Sequence, residues 1–401
     1  MDKFFCAYAT HGESPDSRTE AFVYLPAAPC ELLDTLDKLR LGEGESETFW
    51  VKEYYRFNFL APYLGEKCDL YVLNALAQRL SELDDEQCAA LEGLLKIEAE
   101  IKKEAPCNIP ELFDIVYNTD CCHVVGGVLN DSQLGRFCAE NGFRPELDTL
   151  PDDVFNLLDF ERIGREHRQA EGGVFIEHTA DHPGGYVEQH SELTEVYQTL
   201  DLSPKAPDYA IFLEVSHNGS AAPLKLPAGE AEIADIPRML DEPDWLDLTR
   251  RCLDCRVPAL AKIISNGDED IDFLNHLAKW LADMEPKTLT TYKALLEAAG
   301  VHSLQCAGLL IDTLEQYIFS PQVISPIDAA TEELAAILRE RDAAQIAPHL
   351  NLYQYGQSLI QDCGGVLTDY GLIERKDGEP IRTMKNQPQQ GGMEMRPYGQ
   401  L

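Results

Sequence analysis

Three blocks of this 401-residue chain occur twice, in the same order. A chain written as a repeat folds as two related units, each with its own core, and not as one large domain. Leu25-Pro26-Ala27, Glu31-Leu32 and Asp34 recur 201 residues later as Leu226-Pro227-Ala228, Glu232-Ile233 and Asp235. The same offset relates Leu73-Asn74, Leu76-Ala77 and Leu80 to Leu274-Asn275, Leu277-Ala278 and Leu281. Residues 158–175 align without gaps to 350–367 at an offset of 192, so the second copy is nine residues shorter at that point. In that block Gly164 meets Gly356, and Gly172-Gly173-Val174 meets Gly364-Gly365-Val366.

The repeat defines the organisation. Copy one spans residues 1–190, with about 1–62 read as α+β, 63–106 as helical and 107–190 as α+β. Residues 191–207 join it to copy two at 208–375, and the Gln-, Gly- and Pro-rich stretch 376–401 reads as a disordered tail. The expected fold class is α+β, two tandem copies of an elongated unit made of small α+β modules around a helical middle. Short β-prone runs at Phe4–Tyr8 and Ala21–Leu25 suggest a hairpin, Pro29 opens a helix to Leu39, and Phe49–Phe57 suggests a third strand. Asp69–Leu83, a helix opening at Asp84, Ile109–Asn118, Asp131–Asn141 and Asp152–Gln169 read as helices, and Gly173–Glu177 as a strand. Copy two repeats this with strands at Tyr209–Val215 and Ala222–Leu226, then helices at Ile271–Asp283, Leu289–Ala298 and Leu350–Gln361.

Charge narrows the function. Seventy acidic residues face 33 basic ones, a net charge of −37, yet 44% of the residues are hydrophobic. Disordered acidic chains lack that apolar content, so the surplus carboxylates belong on a folded surface. The charge divides into −21 over residues 1–190 and −15 over 208–375. Such a surface repels nucleic acid and anionic lipid and attracts basic proteins. B-DNA carries one charge per roughly 1.7 Å of axis, so 37 surplus charges match about 60 Å of duplex. The apolar patch at the start is too short for a signal-peptide core, and no stretch of about 18 uninterrupted apolar residues exists. The twelve cysteines then read as reduced thiols of a cytoplasmic protein.

Motifs for chemistry are weak. Cys252-x-x-Cys255 lacks a second pair at zinc-site spacing, and Cys121-Cys122-His123 is contiguous, so core packing explains both better than a metal. Glu177, His178 and His182 sit before Pro183-Gly184-Gly185, which reads as a turn with solvated histidines. No nucleophile elbow, P-loop or dinucleotide fingerprint is present, so neither an enzyme nor a cofactor is expected. Acidic clusters remain. In copy one they comprise Glu82, Asp84, Asp85 and Glu86, then Glu98 and Glu100 (with Glu104 beyond), then Glu146, Asp148, Asp152 and Asp153, followed by Asp159 and Glu161. In copy two they are Asp241, Glu242, Asp244 and Asp247, and Asp268, Glu269 and Asp270 with Asp272. Each alone is a solvated face or a helix start; together they suggest imitation of a phosphate backbone.

Copy one resembles the ArdA antirestriction protein family over most of residues 4–188. The resemblance rests on the Leu25-Pro26 helix entry, Val51-Lys52-Glu53-Tyr54, the LNxLAxxLSEL run at 73–83, and Asp131-x-x-Leu134-Gly135-Arg136-Phe137. It closes on Leu158-Asp159-Phe160-Glu161, Gly164-Arg165 and Gly172-Gly173-Val174-Phe175. Copy two matches faintly, with Asn351 for Asp159, Gln357 for Arg165 and Leu359 for His167. The resemblance implies small α+β modules strung into a curved rod, and a non-catalytic DNA mimic. Such a protein occupies the DNA groove of type I restriction-modification enzymes, at their methyltransferase and specificity core, and so protects mobile-element DNA. It places the antirestriction region at about Asn141–Leu157, and it implies a homodimer or a pseudo-dimer within one chain. An acidic adaptor binding a basic protein without DNA mimicry is the alternative.

Overall fold

The computed structural model describes residues 2–9, 21–40, 48–64, 67–102, 108–147, 149–242, 244–267 and 269–383. The fold is α+β. Copy one runs β1 (Phe5–Ala9), β2 (Ala21–Leu25), α1 (Pro29–Leu39), β3 (Phe49–Tyr54), α2 (Leu70–Leu80), α3 (Asp85–Lys102) and α4 (Ile109–Tyr117). It continues with β4 (Cys122–Gly126), α5 (Asp131–Glu140), α6 (Asp152–Phe155), α7 (Phe160–Glu171), β5 (Val174–Ile176) and β6 (Gly185–Gln189). Copy two begins with β7 (Ile211–His217), β8 (Ser220–Leu226), α8 (Glu230–Met239), β9 (Thr249–Cys255), α9 (Pro258–Asn266), α10 (Ile271–Asp283), α11 (Pro286–Ala299) and α12 (Leu304–Ile311). It ends with β10 (Tyr317–Ser320), α13 (Pro326–Ile337), α14 (Glu340–Ile346), α15 (Leu352–Asp362), β11 (Val366–Thr368) and β12 (Gly371–Arg375).

Matching positions carry matching devices. Sheet orders β2-β1-β3 and β4-β6-β5 recur as β8-β7-β9 and β10-β12-β11, all antiparallel. The register shift between Cys6 and Ala7 on β1 recurs between Phe212 and Leu213 on β7. Leu25-Pro26 and Leu226-Pro227 are both cis. After each proline a buried asparagine closes a two-way clamp on the backbone. Asn74 accepts from Ala27 N–H (2.7 Å) and donates to its carbonyl (3.2 Å), while Asn275 does the same for Ala228 at 2.8 and 3.0 Å. Both asparagines sit on the repeated amphipathic helices, α2 and α10, whose leucines turn into the cores.

Packing groups the chain into two compact units, Met1–Ala27 with Ser46–Lys205, and Ala28–Glu45 with Ala206–Leu401. Helix α1, written in copy one, is therefore part of the second unit. Its N-terminal amide at Cys30 donates to Asp254 Oδ2 (3.0 Å), and Arg40 just past its end donates to the Asp369 carbonyl (3.0 Å). Asp34 and Asp37 flank Lys293 of α11 at 2.8 and 2.7 Å, and Tyr370 donates to Asp34 at 2.8 Å. Lys293 is 3% exposed. Burial alone would depress its pKa, but the two carboxylates hold it above the ordinary lysine value. In the first unit the segment after β6 is tied to α4, where Asp114 accepts from the Val196 and Tyr197 amides at 2.6 and 2.9 Å.

The helix expected over 152–169 is two helices. Asp159 accepts from the Arg162 amide (3.1 Å) and caps α7 afresh. Asn351 caps α15 in the same way through Gln354 (3.2 Å), so the replacement of Asp by Asn in copy two preserves the device. Gly172, at φ 70°, ends α7 in the left-handed region that glycine tolerates, and the chain turns into β5. The tail beyond residue 383, with the expectation of disorder there, lies outside the described residues. Among the described residues no helix is long and apolar enough to cross a membrane.

Candidate functional site

The acidic clusters follow from helix starts. A carboxylate at an N-cap or in a first turn satisfies orphan amides and faces the positive end of the dipole, while its outer oxygen stays in water. Asp84 accepts from the Gln87 amide (2.8 Å) and the Asp84 amide donates to Gln87 Oε1 in return (3.2 Å), opening α3 with Asp85 and Glu86 exposed in its first turn. Asp270 caps α10 through Phe273 (2.7 Å), with Asp272 exposed in the first turn. Asp244 caps a single 3-10 turn through Leu246 (3.1 Å), with Asp247 in that turn and Asp241 before it, all exposed.

Some of these groups are brought together and others are not. Arg250, at the start of β9, donates to the carbonyls of Glu269 (2.5 Å) and Gly267 (3.1 Å). This ties Gly267 and Glu269 to the start of the strand that Asp244 and Asp247 lead into, so described acids of both copy-two runs lie near one end of β9. Glu242 faces His217 (3.2 Å), and Glu269 accepts from Gln305 (3.1 Å). In copy one, Asp85 and Glu98 lie near opposite ends of α3, about 20 Å apart at 1.5 Å per residue. Glu98 is half-buried, whereas Glu100 shares the rim of an open depression of about 520 Å³ with Glu171 and Glu192, which the sequence had not singled out. Glu82 pairs with Arg79 (3.1 Å), Glu146 approaches Arg144 (3.9 Å), and Glu161 pairs with Arg165. Asp153 is exposed on α6 and Asp159 is exposed at the α7 cap. Asp152 is the first residue of α6, its side chain outside the described set; Asp148, Asp268 and Glu104 lie outside the described residues altogether.

Arginines in the first unit are internally paired. Its described arginines 56, 79, 136, 144, 162, 165 and 168 each meet a carboxylate of the same unit. Asp131 is held below the usual carboxylate range by its two hydrogen bonds from Arg168. Because acids outnumber bases more than two to one over residues 1–190, this pairing leaves carboxylates in surplus and no free arginine patch among the described residues.

The histidine turn differs from expectation. His178 is exposed, but His182 is buried, with its Nε2 2.8 Å from Glu92 Oε2, while the Gly184 amide donates to Nδ1 (3.3 Å). Beside it, Asp181 takes Arg56 Nε (2.8 Å) and the Phe57 amide (2.8 Å), holding Phe57 at a left-handed φ of 56° that a bulky residue adopts only under constraint. The eight residues between β5 and β6 are thus a latch onto α3 and the turn after β3. The turn is buried because its polar groups find partners that sequence proximity could not reveal. Among the described residues no group of His, Cys, Asp and Glu is arranged to hold a metal ion.

Burial would raise the Glu92 pKa, but bonds from His182 and Lys96 outweigh it and leave it below the usual value. A depressed carboxylate stabilises the fold above its unfolded pKa of about 4.3, and that contribution is lost as pH falls through the lower native value. On acidification, the Gly184 amide should therefore lose hydrogen-exchange protection before the β4–β6 ladder does, and Glu92→Gln should abolish the difference. Simultaneous loss in the parent chain would contradict the latch.

No protein-family model matches the chain, and no curated protein matches it.

Proposed function

We propose that the protein is a non-catalytic DNA mimic that occupies the DNA groove of type I restriction-modification enzymes at their methyltransferase and specificity core. The observation that carries this reading is the separation of charge roles in the first unit. Its described arginines are internally paired, while carboxylates at helix caps and first turns stay exposed. Capping fixes Asp84 and Asp159 relative to the helices they open, which is what imitation of a fixed phosphate array requires. The second unit supplies two further acidic runs whose described acids lie near one end of β9. The ordered blocks that resemble ArdA proteins point the same way, and cytoplasmic action on host defence follows from the reading.

The test is competition. The full chain, titrated into a type I methyltransferase bound to a duplex, is expected to displace the DNA at low salt and to lose potency steeply as salt rises. Replacing Glu82 and Glu86 with Gln, and Asp84 and Asp85 with Asn, keeps the cap geometry and should weaken displacement roughly tenfold, at a few tenths of a kcal/mol per exposed pair. Failure to displace DNA at low salt would overturn the proposal.

A further inference from the structure

The outer face of the β2-β1-β3 sheet carries aromatic rings where a solvated strand face normally carries polar groups. Alternation puts Phe22 and Tyr24 of β2 on that face, at 55% and 43% exposure, while Ala21, Val23 and Leu25 point inward. Register sets Phe22 opposite Tyr8, and Tyr8 opposite Trp50; in the next row Tyr24 lies opposite Cys6, and Cys6 opposite Glu53. The rings form a continuous ladder, with Tyr8–Phe22 centroids at 6.0 Å, Phe22–Tyr24 at 5.7 Å and Tyr24–Tyr55 at 6.2 Å. Tyr55 is 49% exposed. Glu53 sits within the ladder, accepting from Tyr55 (2.6 Å) and Tyr8 (3.4 Å).

Copy two supplies an internal control. At the matching positions of its β8-β7-β9 sheet the register places Pro223, Glu214 and Arg251 in one row and Lys225, Phe212 and Asp254 in the other. There Arg251 binds Glu214 (2.9 Å) and Lys225 binds Asp208 (2.8 Å), so the row that matches Phe22, Tyr8 and Trp50 is proline and an ion pair. Asp254 in the other row is buried and accepts from Tyr209 (2.8 Å) and the Cys30 amide (3.0 Å). The same sheet order and register shift are built with and without exposed rings at Phe22 and Tyr24, whose counterparts are Pro223 and Lys225, so the sheet pattern alone does not call for them.

The chain's own cations indicate what the rings accept. Lys52 Nζ lies 5.1 Å from the Tyr8 centroid, and Lys67 Nζ lies 5.7 Å from that of Trp50. The remaining rings, Phe22, Tyr24 and Tyr55, lie beside an exposed carboxylate in a copy of net charge −21. Stacked aromatic faces also take nucleobases, but a polyanion is repelled by that charge. A planar guanidinium suits the face best, since it stacks on a ring while hydrogen-bonding a carboxylate. We propose that this face is a docking surface for a partner protein that presents arginine side chains, which stack on Phe22, Tyr24 and Tyr55 with Glu53 as the carboxylate acceptor. This goes beyond DNA mimicry, because the rings imitate no part of a phosphate backbone. It also divides the labour of binding: carboxylates steer and are screened by salt, whereas stacked rings hold and are not.

The experiment uses the full chain with two probes of equal charge, an octa-arginine and an octa-lysine peptide, and does not involve a restriction enzyme, so its result is independent of the DNA-mimic reading. At high salt the arginine peptide is expected to bind on the order of tenfold more tightly than the lysine peptide. The F22S/Y24S/Y55S variant, whose altered side chains are exposed and whose thermal melt should match the parent, is expected to lose that preference with an unchanged salt slope. Y24F/Y55F, which keeps the rings, should retain it. Equal binding of the two peptides to the parent, or a preference that survives the triple serine variant, would overturn the proposal. So would a concentration-dependent dimer of the parent that the serine variant dissociates, since the face would then belong to a second copy of the chain.

Discussion

Lys293→Met should destabilise the second unit by about 3–5 kcal/mol, the usual consequence of leaving a buried charge without its partner. Lys293 is 3% exposed, and its ammonium is the cation shared by Asp34 (2.8 Å) and Asp37 (2.7 Å), with Asp34 itself 6% exposed. Methionine fills a similar volume, so the loss is one of charge and not of packing. Because the native pKa of Lys293 is raised, its contribution is complete below the unfolded value of about 10.4 and declines only as pH rises through the native one. The variant should therefore differ from the parent across the whole neutral range. Trp245 and Trp280 report on this unit and Trp50 on the other. In a Trp50→Phe background, denaturant unfolding followed by tryptophan fluorescence reads the second unit alone. Adding Asp34→Asn and Asp37→Asn to Lys293→Met should recover much of the loss. A shift under 1 kcal/mol, or no recovery in the triple variant, would refute the ionic lock.

Gly356→Val is expected to cost about 3 kcal/mol or more, at the upper end of the range for overpacking. A Cβ at Gly356 would fall 1.6 Å from the Pro326 carbonyl oxygen, where α15 crosses α13. The matching Gly164 of α7 would place one 1.9 Å from the Asp131 oxygen on α5, and Gly135 one 1.8 Å from the Phe160 oxygen. The obstructing atoms are backbone, so the helices must separate. The sign discriminates between explanations. At an exposed helical position Gly→Ala stabilises by about 1 kcal/mol, whereas at 164 and 356 alanine as well as valine should lower the denaturation midpoint. Stabilisation by alanine would show that the crossing is looser than its geometry indicates.

What was legible in the sequence was local or periodic. The helix expected at 271–283 is α10 at its stated bounds, and Pro29 opens a helix that ends at Leu39, because the apolar spacing and the capping residues lie within the element itself. The strand expected over 173–177 is β5 for the same reason. The break at Asp159 was missed because a capping residue inside an amphipathic run looks like one more polar position until its side chain bonds Arg162. The acidic runs were found as composition, but the placing of their described acids near one end of β9 depends on Arg250, which no spacing rule identifies. Phe22 and Tyr24 read as strand formers; only the sheet register reveals that they share an outward face with Tyr8. His182 looked solvated because its partner, Glu92, lies 90 residues away.

Helix α1 also sets a clock. Tyr370 meets Asp34 across 336 residues of sequence. At about 5–20 residues per second, a ribosome needs roughly 17–67 s to deliver the second partner after the first. Within that interval the first unit can complete its own core, and α1 gains its partners in turn: Lys293 arrives 256 residues after Asp37, and Tyr370 last. The second unit is thus the late product of synthesis, even though one of its helices is among the first segments to leave the ribosome. A nascent chain halted before Asp254 would carry one finished unit and one helix still without its destination.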